Sequence, residues 1–169
     1  MKWLLWGMRY CIMQKFLSLK IALVILFCGL IAPSIPEHLH VVTSASIDHR
    51  IFYKGDGFIT AKDGDYVTFT MKSPLIEHGK PVNVTKKVAC RGGDVLSVTD
   101  NKEYLCNKAF LKRAIDQTPS GVPLSNFKFT GVIPEGKYFV MGTDRNSFDS
   151  RYYGLVDKSD ILRKDYPIF

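Results

Sequence analysis

Between Lys15 and Pro33 runs an apolar segment whose cations lie on one side only. Phe16 to Ala32 is interrupted by Lys20 alone, and Ile21 to Ala32 (IALVILFCGLIA) carries no charge. A membrane-spanning helix needs about 20 residues, with about 17 as the lower bound. A lysine close to one end can reach the headgroups along its own stem. Pro33 and Pro36 stop the helix on the far side. Lys2, Arg9, Lys15 and Lys20 all precede the first acidic residue, Glu37. Cations gather on the cytoplasmic side of a span. The segment therefore predicts a cytoplasmic N-terminus over 1–15, a transmembrane anchor over 16–36 and an exported domain over 37–169. The competing reading is a cleaved signal peptide, for which Thr43-Ser44-Ala45 supplies small residues.

The formal charge of +7 invites a nucleic-acid reading. Setting aside the four early cations leaves 19 basic against 16 acidic residues, with no basic run interleaved with aromatics, so nucleic acid is not an expected partner. Cys90 and Cys106 fall in the exported part, where disulfides persist. A bridge and two buried free thiols fit the sequence equally well. No Cys-x-x-Cys or His-x-x-x-His spacing occurs, and neither a metal nor a cofactor is expected.

The exported part reads as mainly β. Tyr66 to Met71 alternates, with Val67, Phe69 and Met71 on one face of a half-buried strand. Val82 to Cys90 is a second strand. Asp94 to Val98 and Glu103 to Cys106 flank Thr99-Asp100-Asn101-Lys102, a hairpin turn. Lys137 to Met141 is a further strand, and Ala109 to Asp116 is read as one or two helical turns.

Chemistry concentrates near the C-terminus in Gly142-Thr143-Asp144-Arg145-Asn146-Ser147-Phe148-Asp149-Ser150-Arg151-Tyr152-Tyr153-Gly154. Hydroxyls, carboxylates and a fixed cation at this density make a hydrogen-bonded loop rather than an ordinary strand or helix. The stretch resembles the last signature box of type I signal peptidases, serine-lysine peptidases that release exported proteins at membranes. Lys86-Lys87-Val88-Ala89-Cys90-Arg91-Gly92-Gly93-Asp94 resembles the family's lysine box. Its first lysine takes the place of the general base. Alternation points to the same residue, because Lys86 shares a face with Val88 and Cys90 while Lys87 shares one with Ala89 and Arg91. Burial would lower the amine's affinity for its proton, and only the neutral amine can take a proton from a serine.

Two serines compete as nucleophile. Ser34-Ile35-Pro36 is nearer by letter to the family's Ser-Met-Pro, but it adjoins the apolar segment. Ser46-Ile47-Asp48-His49-Arg50 is nearer by position, although it lacks the usual proline and glycine. The layout resembles the TraF-type subgroup, which acts on conjugative pilins. The resemblance implies Ser46 as nucleophile and Lys86 as base. Ser44 and the Ser46 amide would form the oxyanion hole, Ser147 would orient the lysine, and Asp149 and Arg151 would form a supporting pair. A Ser-His-Asp arrangement is disfavoured, since His49 has no motif partner to orient it. The expectation is a single-pass inner-membrane endopeptidase with an exported catalytic domain. Its partners would be the membrane and a precursor protein, a pilin by subgroup, which it cleaves or cyclises. The alternatives are a general signal peptidase and a pilus-assembly factor that kept the fold without turnover.

Overall fold

The computed structural model describes residues 20–30, 35–58 and 60–169. The chain divides into two units, Met1–Leu39 and His40–Phe169. In the first, residues 20–30 form helix α1 and Ile35–His38 a single turn, α2. Among the described residues no helix is long and apolar enough to cross a membrane. The expected cytoplasmic segment 1–15, residues 16–19 and 31–34 of the expected anchor, and Ser34 with them, lie outside the described residues.

The second unit is built of two antiparallel sheets. Strands β1 (Leu39–Val41), β2 (Ile51–Lys54), β11 (Ile161–Pro167), β3 (Tyr66–Met71), β4 (Val82–Arg91), β9 (Lys137–Met141) and β10 (Val156–Asp157) follow in that order across the larger sheet. The smaller sheet runs β7 (Ala109–Arg113), β6 (Glu103–Cys106), β5 (Val95–Val98), β8 (Gly131–Val132). Short helix α3 (Ser150–Tyr153) follows β9. Leu96, Tyr104 and Cys106 of the small sheet bury against Cys90, Phe139 and Met141 of the large one. A disulfide joins Cys90 to Cys106 across this contact, closing the alternative that sequence left open. Val67, Phe69, Met71, Val88 and Val140 form a second cluster, and Val42, Ile47, Phe52 and Tyr66 a third.

Two expectations are corrected. Strand β3 is not half-buried, because Thr68 is as inaccessible as Val67. Its hydroxyl pairs with Thr85 Oγ1 at 2.7 Å and donates to Asp165, so a satisfied polar network fills the face where solvent was expected. Residues 109–113 form strand β7 rather than a helical turn. Asn107 and Lys108 both take positive φ, 48° and 70°, and reverse the chain so that Ala109 pairs with Cys106. A two-residue turn of that handedness matches the twist of a hairpin. The preceding strand, rather than local propensity, decides the segment.

Candidate active site

The loop from 42 to 50 joins β1 to β2 and carries Ser44 and Ser46. It is pinned from beneath by Val42 and Ile47, which bury beside Phe52 and Tyr66. Two residues that depart from the family pattern hold it laterally. Asp48 Oδ1 accepts a 2.6 Å bond from the Tyr66 hydroxyl. Arg50 Nη1 donates to the carbonyls of Ser44 at 2.7 Å and Thr43 at 3.2 Å. Hydrogen bonds thus supply the rigidity that a proline would give. Ser46 is half-buried, and its Oγ lies 2.9 Å from Ser44 Oγ.

Lys86 enters from the middle of β4, opposite Val67 of β3. It is only 4% exposed, and Val88 is buried on its face as alternation requires. Cys90 does not share that face as expected, because a bulge between Val88 and Cys90 turns it to the other side, where it packs with Phe139 and Met141. Its Nζ donates to Ser147 Oγ at 2.9 Å. Burial lowers the amine from its ordinary 10.5 to about 8, with the negative charge of Asp149 opposing part of that effect. An ammonium loses hydration in such a place and gains little in return, so the neutral form becomes accessible near physiological pH.

Ser147 sits on the loop between β9 and α3, and one glycine brings that loop to the serine. A Cβ on Gly142 would fall 2.0 Å from Ser147 Oγ and 2.4 Å from the Ser46 carbonyl oxygen. No side chain fits there. The Asp144 N–H donates to the same Ser46 carbonyl at 3.3 Å. The Ser46 backbone and the Lys86–Ser147 pair therefore meet at Gly142.

Beneath the loop, Asp149 and Arg151 are both fully buried. Arg151 Nε donates to Asp149 Oδ1 and Nη2 to Oδ2, each at 2.8 Å. Asp149 also accepts the Arg151 N–H, capping α3, and the Gly142 N–H at 3.0 Å. Arg151 spends its remaining donors on the carbonyls of Arg113 at 2.7 Å and Ser147 at 3.0 Å. Such a pair is stable because every charge and lone pair finds a partner. It ties β7, the 142–149 loop and α3 into one body.

Ser44, Ser46, Lys86 and Ser147 line one cleft of about 890 Å³, bounded by Val42, Val84 and Phe148. Asp149 and Arg151 lie under it rather than in it. His49 packs edge-on against Phe52 and Tyr66, and His40 Nδ1 is 3.1 Å from Asp165. Neither histidine is bonded to Ser46. Cys90, Asp94 and Cys106 gather closely, but both sulfurs are committed to the disulfide. Sequence reasoning missed the roles of Asp48, Arg50 and Gly142. The first two read as losses from a motif, and only the folded loop reveals their contacts. Gly142 opened the motif, but its reason is a close approach that sequence does not display.

Comparison with known proteins sets the chain among the serine peptidases. A family model described as "Signal peptidase, peptidase S26" matches residues 10–167, and the chain belongs to that family. A signal peptidase I of Bacillus licheniformis is 29% identical over 140 residues, covering 77% of this chain and 75% of that protein. A signal peptidase I of Buchnera aphidicola is 44% identical over 43 residues, 25% of this chain and 14% of that protein. The crystal structure of a signal peptidase I from Enterococcus faecalis V583 is similar at 25% identity with a TM-score of 0.39, covering 62% of this chain and 96% of that one.

Proposed function

We propose that this protein is a membrane-anchored serine endopeptidase that processes exported precursors, with Ser46 as nucleophile and Lys86 as general base. The observation that carries the reading is the buried Lys86 amine, bonded to Ser147 and lowered to about 8, in the cleft it shares with Ser44 and Ser46. As Ser46 Oγ attacks the scissile carbonyl carbon, its proton passes to neutral Lys86 Nζ. The Ser44 hydroxyl and Ser46 N–H donate to the developing oxyanion, each worth a few kcal/mol in the transition state. When the tetrahedral species collapses, the C–N bond breaks and the leaving amine takes the proton from Lys86. Water, or an amine of the substrate itself, then opens the acyl-enzyme. Ser147 orients the lysine, and the Asp149–Arg151 pair fixes the loop that carries Ser147.

The anchor is the segment 16–36, placing 37–169 on the exported side of the inner membrane. Tethering confines enzyme and precursor to one thin layer and raises their effective concentration. The resemblance to signal peptidases implies small residues before the cleaved bond. The Ser147-Phe148-Asp149-Ser150-Arg151 wording favours a conjugative pilin as substrate. The relatives named signal peptidase I favour a second reading, removal of signal peptides from many precursors.

Co-expression with a pilin precursor and mass spectrometry of the product separates these readings. A cyclised product lacks one water relative to the linear processed chain. Ser46→Ala should abolish both processing and labelling by a serine-directed acylating probe, while Ser34→Ala retains both. A wild-type chain that resists the probe would instead be an assembly factor without turnover.

A further inference from the structure

One cation beside the cleft has no part in the chemistry above. Lys112 lies on β7, the edge strand of the small sheet, in register with Tyr104. Its Nζ reaches across to the large sheet and donates to three successive carbonyls. Gly142 O is at 2.8 Å, Thr143 O is bonded as well, and Asp144 O is at 3.3 Å. These are the residues that touch the nucleophile's backbone: Gly142 by its missing Cβ and Asp144 through its N–H. Among the described residues, Lys112 is bonded to carbonyls and to no carboxylate. Carbonyl dipoles solvate an ammonium without cancelling its charge, so its field extends into the site.

We propose that Lys112 is a positioning residue: its ammonium ties the 142–144 turn against Ser46 and keeps a positive charge within electrostatic reach of the Lys86 amine. This rests on Lys86 being the base. Four charged groups act on Lys86. Asp149 and Asp144 favour its protonated form, while Arg151 and Lys112 oppose it. Burial and the Arg151 charge lower the Lys112 amine itself, while Asp149, Asp144 and Asp48 favour its ammonium. Asp149 and Arg151 are locked to each other, so their fields largely offset. That leaves Asp144, which favours the ammonium, and Lys112, the smaller influence, which opposes it as the adjustable cation. A three-point clamp from another sheet also couples the small sheet to a cleft that it does not line. The disulfide fastens that sheet to β4, while the Arg151 bond to Arg113 O and the Lys112 clamp fasten it to the active loop.

Three variants separate clamp from charge. Lys112→Gln keeps an amide donor without charge, Lys112→Arg keeps charge and donors, and Lys112→Met loses both. In the full-length chain in detergent, the Lys86 Cε resonance reports its titration by NMR, assigned with Lys86→Met. Cleavage of an internally quenched peptide with alanines before the scissile bond reports the rate against pH. Losing the charge should raise the Lys86 titration by at least about 0.3 pH unit in Lys112→Gln and Lys112→Met, with the rate inflection following. Lys112→Arg should restore both. Lys112→Met should also lose roughly tenfold in kcat near neutral pH as Ser46 loses its alignment. An unchanged Lys86 titration in Lys112→Gln overturns the proposal, even if Lys112→Met fails to fold. If the Lys86 titration moves while the rate inflection stays, the Lys112 placement stands and the assignment of Lys86 as base falls.

Discussion

Replacing Lys86 by methionine should inactivate the protein and make it more stable, with a pH dependence fixed by burial. The amine is 4% exposed and lowered from 10.5 to about 8. Each pH unit of lowering costs the folded state about 1.4 kcal/mol of ammonium binding. At pH 7 the unfolded chain holds the proton easily and the folded chain reluctantly, so the lysine subtracts about 3 kcal/mol from stability. That cost is fully present below pH 8, is relieved as pH rises toward 10.5, and falls to about 1 kcal/mol at pH 10. Methionine fills a similar volume and carries no charge. It forfeits the 2.9 Å bond to Ser147, worth about 1 kcal/mol. The variant should therefore gain about 2 kcal/mol at pH 7 and nothing at pH 10. Urea unfolding of parent and variant at both pH values measures the difference directly, and titrations elsewhere in the chain cancel between them. Peptide cleavage should drop by roughly 10²–10⁴-fold, the usual contribution of a general base. A Lys86→Met protein that is less stable than the parent at pH 7, or shifted equally at both pH values, would refute the burial argument.

Five further outcomes follow from the same geometry. The parent's kcat/KM should rise with pH and level off above about 8, where Lys86 becomes neutral, and a falling limb through that range would remove it as the base. Asp149→Ala should cost on the order of 3–5 kcal/mol by stranding the buried Arg151 cation. Asp149→Asn should also melt lower, because all four partners of that carboxylate are donors; a stable but inactive Asp149→Asn protein would mean that the carboxylate acts in the chemistry. Gly142→Ala should lose most activity, since the new methyl overlaps Ser147 Oγ and the Ser46 carbonyl, and parent-like kinetics would show that the turn relaxes freely. Removing both Cys90 and Cys106 should lower stability by about 3 kcal/mol, as expected for a loop of this length, measurable by thermal melts with and without reductant.

Strands β3, β5, β6 and β9 lie where the alternation of apolar residues and the turn residues put them, and β4 extends one residue further. Their register needs only a hydrophobic face and a turn, and both are local. The lysine face was legible only in part: a period of two places Lys86 with Val88, but a bulge between Val88 and Cys90 turns Cys90 to the opposite face, and sequence did not show it. The box from Gly142 to Gly154 was visible as a cluster of polar residues, but only 142–149 is loop; Ser150–Tyr153 folds as helix α3, capped by Asp149.

What sequence withheld were the contacts between elements. It left Cys90 and Cys106 open, because a disulfide depends on whether two strands from different sheets approach within reach. It made one or two helical turns of 109–116, because the neighbour that claims 109–113 as a strand is itself a product of the hairpin turn. It read Asp48 and Arg50 as lost motif letters, whereas the folded loop uses one to hold Tyr66 and the other to hold the Ser44 carbonyl. It gave no sign that Lys112 reaches Gly142, thirty positions away in the chain. Local order follows from periodicity along the chain. The cleft follows from which buried charges and carbonyls the two sheets bring together, and only the tertiary structure decides that.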